Sequence, residues 1–161
     1  MRVDVMSVMR GVAPFPELWE RRTTLETRSG TRVELIALAD LVRAKKTQRD
    51  RDWPMIRRLV ESHFSRHGSE PAPEQIGFWL RECRTPPILF EVVRRFPDQA
   101  AAELPARPLL SLAIAPDETG LAEALAAEER REREADRLYW LPLRKELEGL
   151  RRRGRSGDTT G

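Results

Sequence analysis

Thr31-Arg32-Val33-Glu34-Leu35-Ile36-Ala37-Leu38-Ala39-Asp40-Leu41-Val42 changes its period in the middle. Up to Ile36 the residues are β-prone and alternate in polarity, the pattern of a half-buried strand. From Leu38 the apolar positions fall at Leu38, Leu41 and Val42, which is helical spacing. Reading back toward the N-terminus, Thr23-Thr24-Leu25-Glu26-Thr27 is a second β-prone run, and Ser29-Gly30 lies between the two, so residues 23–36 read as a hairpin. Further back, Val3-Asp4-Val5-Met6-Ser7-Val8-Met9 is an apolar run of strand length interrupted by Asp4, and a third strand is expected there.

Reading forward, the pattern is helical. Pro54 suits the first turn of a helix that Asp52 would cap, with Trp53, Ile56, Leu59, Val60 and Phe64 on one face. Gly68-Ser69-Glu70-Pro71-Ala72-Pro73 reads as a linker. Helices follow over about 74–83 and from Thr85-Pro86-Pro87 to Phe96. Pro105, Pro108 and Pro116 break up residues 104–116. A long helix is expected from about 117 to 151, kinked at Pro142, with a solvated charged face from Glu128 to Arg137 and apolar character returning at Leu138-Tyr139-Trp140-Leu141. The expectation is a mixed α+β chain, mainly helical: a small N-terminal three-stranded sheet, then helices, then a long C-terminal helix. Its divisions are 1–67 (α/β), 68–73 (linker), 74–153 (helical) and 154–161 (disordered tail).

The composition narrows the function classes. The chain has 161 residues, 40% hydrophobic and 34% charged, which suffices for a core without staples. A single cysteine, Cys83, excludes an internal disulfide framework and a cysteine-only zinc site. Leu109–Ala115, the longest nearly apolar stretch, is too short to cross a bilayer. With no apolar leader behind Met1, a soluble cytoplasmic protein without a membrane partner is expected. Twenty-six arginines and three lysines against 26 acids leave a net charge of only +3, a weak argument for nucleic acid.

Four groups of residues carry chemistry. Asp4 on its apolar strand needs an ion, a hydrogen bond or a metal to offset its burial. Lys45-Lys46-Thr47-Gln48-Arg49-Asp50-Arg51-Asp52 gathers cations at a helix entry, where phosphate would bind; capping and local salt bridges are the alternative. His63 and His67, four apart, have the spacing of zinc ligands but lack the rest of a set, so cationic histidines at a helix C-terminus are expected. Arg151-Arg152-Arg153-Gly154-Arg155 could meet RNA, DNA or an acidic surface, or simply end a helix.

The order of the N-terminal pieces carries a resemblance. Arg2-Val3-Asp4-Val5-Met6 is followed by Gly11-Val12, Trp19-Glu20-Arg21, the hairpin, Leu35 to Lys45, and then Arg49 and Asp52. Over residues 1–64 this resembles the second half of small bacterial proteins of the nucleotidyltransferase superfamily, which have a DNA-polymerase-β-like fold. The resemblance implies that Asp4 is the third metal-binding acid, that Lys45 and Arg49 contact nucleotide phosphates, and that the cofactor is Mg²⁺. The family's Gly-Ser turn and first carboxylate pair have no counterpart here, and one acid cannot organise two Mg²⁺ ions. The resemblance therefore implies a nucleotidyltransferase-like protein that is catalytically incomplete as given, with transfer only if an upstream half exists. The alternative is a non-catalytic helical module that binds RNA or a protein.

Overall fold

The computed structural model describes residues 9–157. A short helix α1 (Phe15–Glu20) leads into a hairpin of β1 (Thr23–Glu26) and β2 (Arg32–Leu35). The strands are antiparallel, with Thr23 opposite Leu35 and Leu25 opposite Val33. Gly30 closes the turn at φ 79°, a left-handed conformation that favours glycine. The third strand expected over residues 3–9 lies, apart from Met9, outside the described residues. The described sheet has two strands and is largely exposed. Such a ribbon is marginal by itself. Arg21 ties it to the body by a two-pronged contact with the buried Asp40 carboxylate, Nε to Oδ2 and Nη2 to Oδ1, both at 3.1 Å.

Everything that follows is helical: α2 (Leu38–Ala44), α3 (Asp52–His67), α4 (Pro73–Glu82), α5 (Pro86–Arg95), α6 (Pro97–Glu103), α7 (Leu110–Ile114) and α8 (Glu118–Gly157). Helices α4, α5 and α6 each begin on a proline, whose missing N–H is one the first turn could not have used. The apolar face read from α3 is correct. Trp53, Ile56 and Val60 are buried against Ile76, Trp79 and Leu80 of α4, Leu89 and Val92 of α5, and Leu110 of α7. This cluster continues across residues 68–73, so the helices on either side of that segment share one core.

Local expectations at two helix ends need correcting. Asp52 does not cap α3: Arg51 holds the cap position without a side-chain bond, and Asp52 is the first helical residue, buried and bonded elsewhere. Gly154 does not end α8, which runs to Gly157, and Pro142 sits inside that helix without terminating it.

The charged middle of α8 is also more than a solvated face. Glu128, Glu132 and Asp136 are four apart, so they form one stripe, and that stripe docks the helix. Glu128 receives Arg107 through two hydrogen bonds, 3.0 and 2.8 Å, and Arg84 at 3.0 Å. Glu132 receives Arg10 at 3.4 Å and lies 4.0 Å from Lys46. Asp136, 3% exposed, accepts the Gln48 backbone N–H at 3.0 Å and Trp140 Nε1 at 3.1 Å. The outward residues do pair along the helix as expected, Glu129 with Arg133 at 2.7 Å and Glu134 with Arg137 at 2.5 Å.

Candidate functional site

The loop between α2 and α3 meets the docked stripe of α8, and a cleft of about 580 Å³ opens there. Its floor comes from Ile36, Leu41 and Ala44, and its far wall from Trp140, Leu143 and Leu147 of α8. Those three wall residues repeat at three and four, which places them on one helical face. Four cations line the same space: Arg10, Lys45, Arg49 and Arg144. Two carboxylates, Asp52 and Asp136, complete the polar lining.

The segment from Lys45 to Asp52 distributes its charges in different directions. Lys45 faces the cleft, with Nζ 3.7 Å from Asp52 Oδ1. Lys46 turns away, with Nζ 2.8 Å from Glu82 Oε2, a close ion contact that is not aligned as a hydrogen bond. Asp50 is exposed and pairs with Arg133. Asp52 accepts the Thr47 hydroxyl at 2.5 Å. Thr47 also accepts the Arg49 N–H at 3.1 Å, and its carbonyl takes Trp53 Nε1 at 2.8 Å. These bonds fix the loop and leave the Arg49 guanidinium at the cleft without a hydrogen-bond or ion-pair partner among the described residues. Arg144 is in the same position on the α8 wall.

The structure thus brings Lys45 and Arg49 together at one cleft. Asp4 lies outside the described residues. The carboxylates that do line the cleft are poorly suited to a metal: Asp52 is engaged by Thr47 and Lys45, and Asp136 by Gln48, Trp140 and Arg10. Among the described residues no group of three or more metal-ligating side chains is assembled.

His63 and His67 stand with ring centroids 4.6 Å apart, and His63 serves the core. His63 Nδ1 accepts Trp79 Nε1 at 2.9 Å. Burial, with help from the neighbouring His67 and Arg66 charges, holds its pKa below the ordinary histidine value. His63 is therefore a neutral acceptor rather than the cationic helix-end residue expected. Cys83 is fully buried; burial pushes its thiol pKa up, and it donates to the Thr85 carbonyl at 3.6 Å. Arg151, Arg152 and Arg153 are exposed on the last turns of α8.

Sequence reasoning missed Arg10, Asp136, Trp140 and Arg144. The signal for the α8 residues was present in the spacing Asp136, Trp140, Arg144, Leu147, one face of one helix. Arg10 carried no signal, since it reaches the site through a tertiary contact, donating to the Lys46 carbonyl at 3.1 Å.

Compared with known proteins, this chain matches no family model, no curated protein and no solved structure.

Proposed function

We propose that the cleft binds a nucleotide, with Lys45, Arg49 and Arg144 on its phosphates and its base against Trp140 and the leucines of α8. The observation that supports this most is the pairing of two guanidiniums without a partner among the described residues, Arg49 and Arg144, with an apolar and aromatic wall in one cleft. Guanidinium forks match phosphate oxygens two at a time. An indole face offers stacking to any base. The proposal agrees with the nucleotidyltransferase-like resemblance in assigning Lys45 and Arg49 to phosphate. It is a proposal of binding rather than transfer, since the carboxylates lining the cleft are already held by donors. Mg²⁺ would accompany the nucleotide, with Asp4 as the protein ligand the resemblance suggests.

The test is thermal unfolding with and without Mg-ATP. A nucleotide that binds only the folded chain raises its melting temperature by mass action. The shift should appear with the natural chain and shrink in Arg49→Ala and in Lys45→Ala. No shift at millimolar nucleotide refutes the proposal.

A second reading, a module that binds RNA, is favoured by one observation: the last turns of α8 present Arg151, Arg152 and Arg153 to solvent. RNA association that weakens with salt and with Ala at all three positions would support it.

A further inference from the structure

A second cleft, of about 510 Å³, lies between α3, the start of α5 and the first half of α8. Four arginines line it, Arg57, Arg84, Arg130 and Arg133, against one carboxylate, Glu129. Glu129 is shared by Arg57 at 3.0 Å and Arg133 at 2.7 Å, and Arg133 also pairs with Asp50 outside the cleft lining. Arg130, exposed on the rim, has no hydrogen-bond or ion-pair partner among the described residues.

Arg84 is the most deeply buried of the four. Its side chain is 2% exposed, and its Nε is a buried donor with no acceptor. The cause lies in the ion network behind it. Arg84 reaches Glu128 at 3.0 Å and its Nη1 donates to the Glu82 carbonyl at 3.3 Å, but Glu128 also takes both prongs of Arg107, and the Glu82 carboxylate is 3.9 Å away and shared with Lys46. Lys46, Arg84 and Arg107 thus share the carboxylates of Glu82, Glu128 and Glu132, and only Arg84 and Arg107 of the three cations are buried. A buried donor left unsatisfied is costly, and an anion drawn to the cleft reduces the cost. Burial lowers the Arg84 pKa, with help from the neighbouring Arg107 charge and against the pull of Glu128, Glu82 and Glu132.

The framework of the cleft is fixed. Trp53 is a flat platform under two of the guanidiniums, with the Arg84 carbon 5.1 Å and the Arg133 carbon 5.5 Å from the ring centroid. Pro86 opens α5 at the cleft, so the positive end of a ten-residue helix adds to the field.

We propose that this second cleft is an anion site for the phosphoryl group of a phosphomonoester, gripped by Arg57 and Arg130 at the rim and drawn in by the charge of Arg84 beneath them. Several guanidiniums lining one cleft suit a dianion with three terminal oxygens better than a single carboxylate. A cleft of about 510 Å³ is larger than a phosphate ion and leaves room for the organic group it is attached to. The site is separate from the nucleotide cleft and does not rest on that reading.

The probe is inorganic phosphate, then glycerol phosphate, titrated by calorimetry at constant ionic strength. The natural chain should bind both, the ester at least as tightly as the free ion. Arg130→Ala, which removes an exposed side chain without a partner among the described residues, should weaken binding at least about fivefold. Arg57→Gln with Arg130→Ala should abolish it, with the melting temperature in phosphate-free buffer unchanged in Arg130→Ala as the fold control. Arg49→Ala, in the other cleft, should leave phosphate binding as it was. Binding that survives the double substitution overturns the proposal, as does an absence of binding. Phosphate binding lost in Arg49→Ala and kept in Arg130→Ala also overturns it and assigns the anion to the first cleft.

Discussion

Arg107→Ala should loosen the packing of α8 on the rest of the chain. Arg107 is 5% exposed and makes three hydrogen bonds, two to Glu128 at 3.0 and 2.8 Å and one to the Leu80 carbonyl at 2.8 Å. Removing it leaves the Leu80 carbonyl without that donor and Glu128 with Arg84 alone. Breaking a buried ion pair from one side costs about 3–5 kcal/mol. Glu128 is 18% exposed and keeps Arg84, so the lower end, about 3 kcal/mol, applies here. That is a large share of the 5–15 kcal/mol that holds a typical domain together. For a chain of this length it corresponds to a melting temperature lower by about 6–12 °C. Urea unfolding read by far-UV circular dichroism measures the loss directly, and Arg107→Lys, which keeps the charge without the fork, should fall between the two. A loss below about 1 kcal/mol would refute the reasoning, because it would class Arg107–Glu128 with surface pairs.

The same network predicts an acid limit. Burial pushes the Glu128 carboxyl up, but the hydrogen bonds from Arg107 and the charges of Arg107, Arg84 and Lys46 outweigh it and hold the pKa below the ordinary 4.5. A depressed carboxylate stabilises fully above its unfolded pKa, and the contribution is lost as pH falls through the folded value; urea unfolding across that range should show the loss, and Glu128→Gln should flatten it. His63, with its pKa lowered in the fold, acts in the same direction at higher pH. The unfolded chain takes a proton there first, so stability should decline as pH drops below about 6.5, and His63→Asn, which keeps an acceptor for Trp79, should remove that slope. Cys83, buried with a raised thiol pKa, should resist alkylation in the folded chain and react once urea unfolds it, which mass spectrometry would read.

Much of this fold is legible from local pattern. The change of period at Ile36–Leu38, the apolar face of α3 and the prolines that open α4, α5 and α6 each follow from residues close together in sequence. What was not legible depended on distant partners. Asp52 looked like a cap, yet it is claimed by Thr47 and Lys45 across the loop that precedes its helix. The run from Glu128 to Arg137 looked like a solvated face because all but Ala135 are charged; only the positions of Arg84, Arg107, Arg10 and the Gln48 N–H reveal that the acids at every fourth position, Glu128, Glu132 and Asp136, point inward. In the candidate cleft, Lys45 and Arg49 were visible as a local cluster of charge. Trp140 and Arg144 came into view only when α8 was folded back beside them, because about ninety residues separate the two walls.

Calorimetric titration of ATP into the natural chain and into Arg49→Ala tests the central claim most directly. Arg49 faces the cleft without a competing partner among the described residues, so its loss should remove a charge-assisted contact and little else. The account predicts measurable binding to the natural chain and at least a tenfold weaker affinity in the variant, about 1.4 kcal/mol. Equal affinities in the two proteins, or no heat of binding in either, would contradict it.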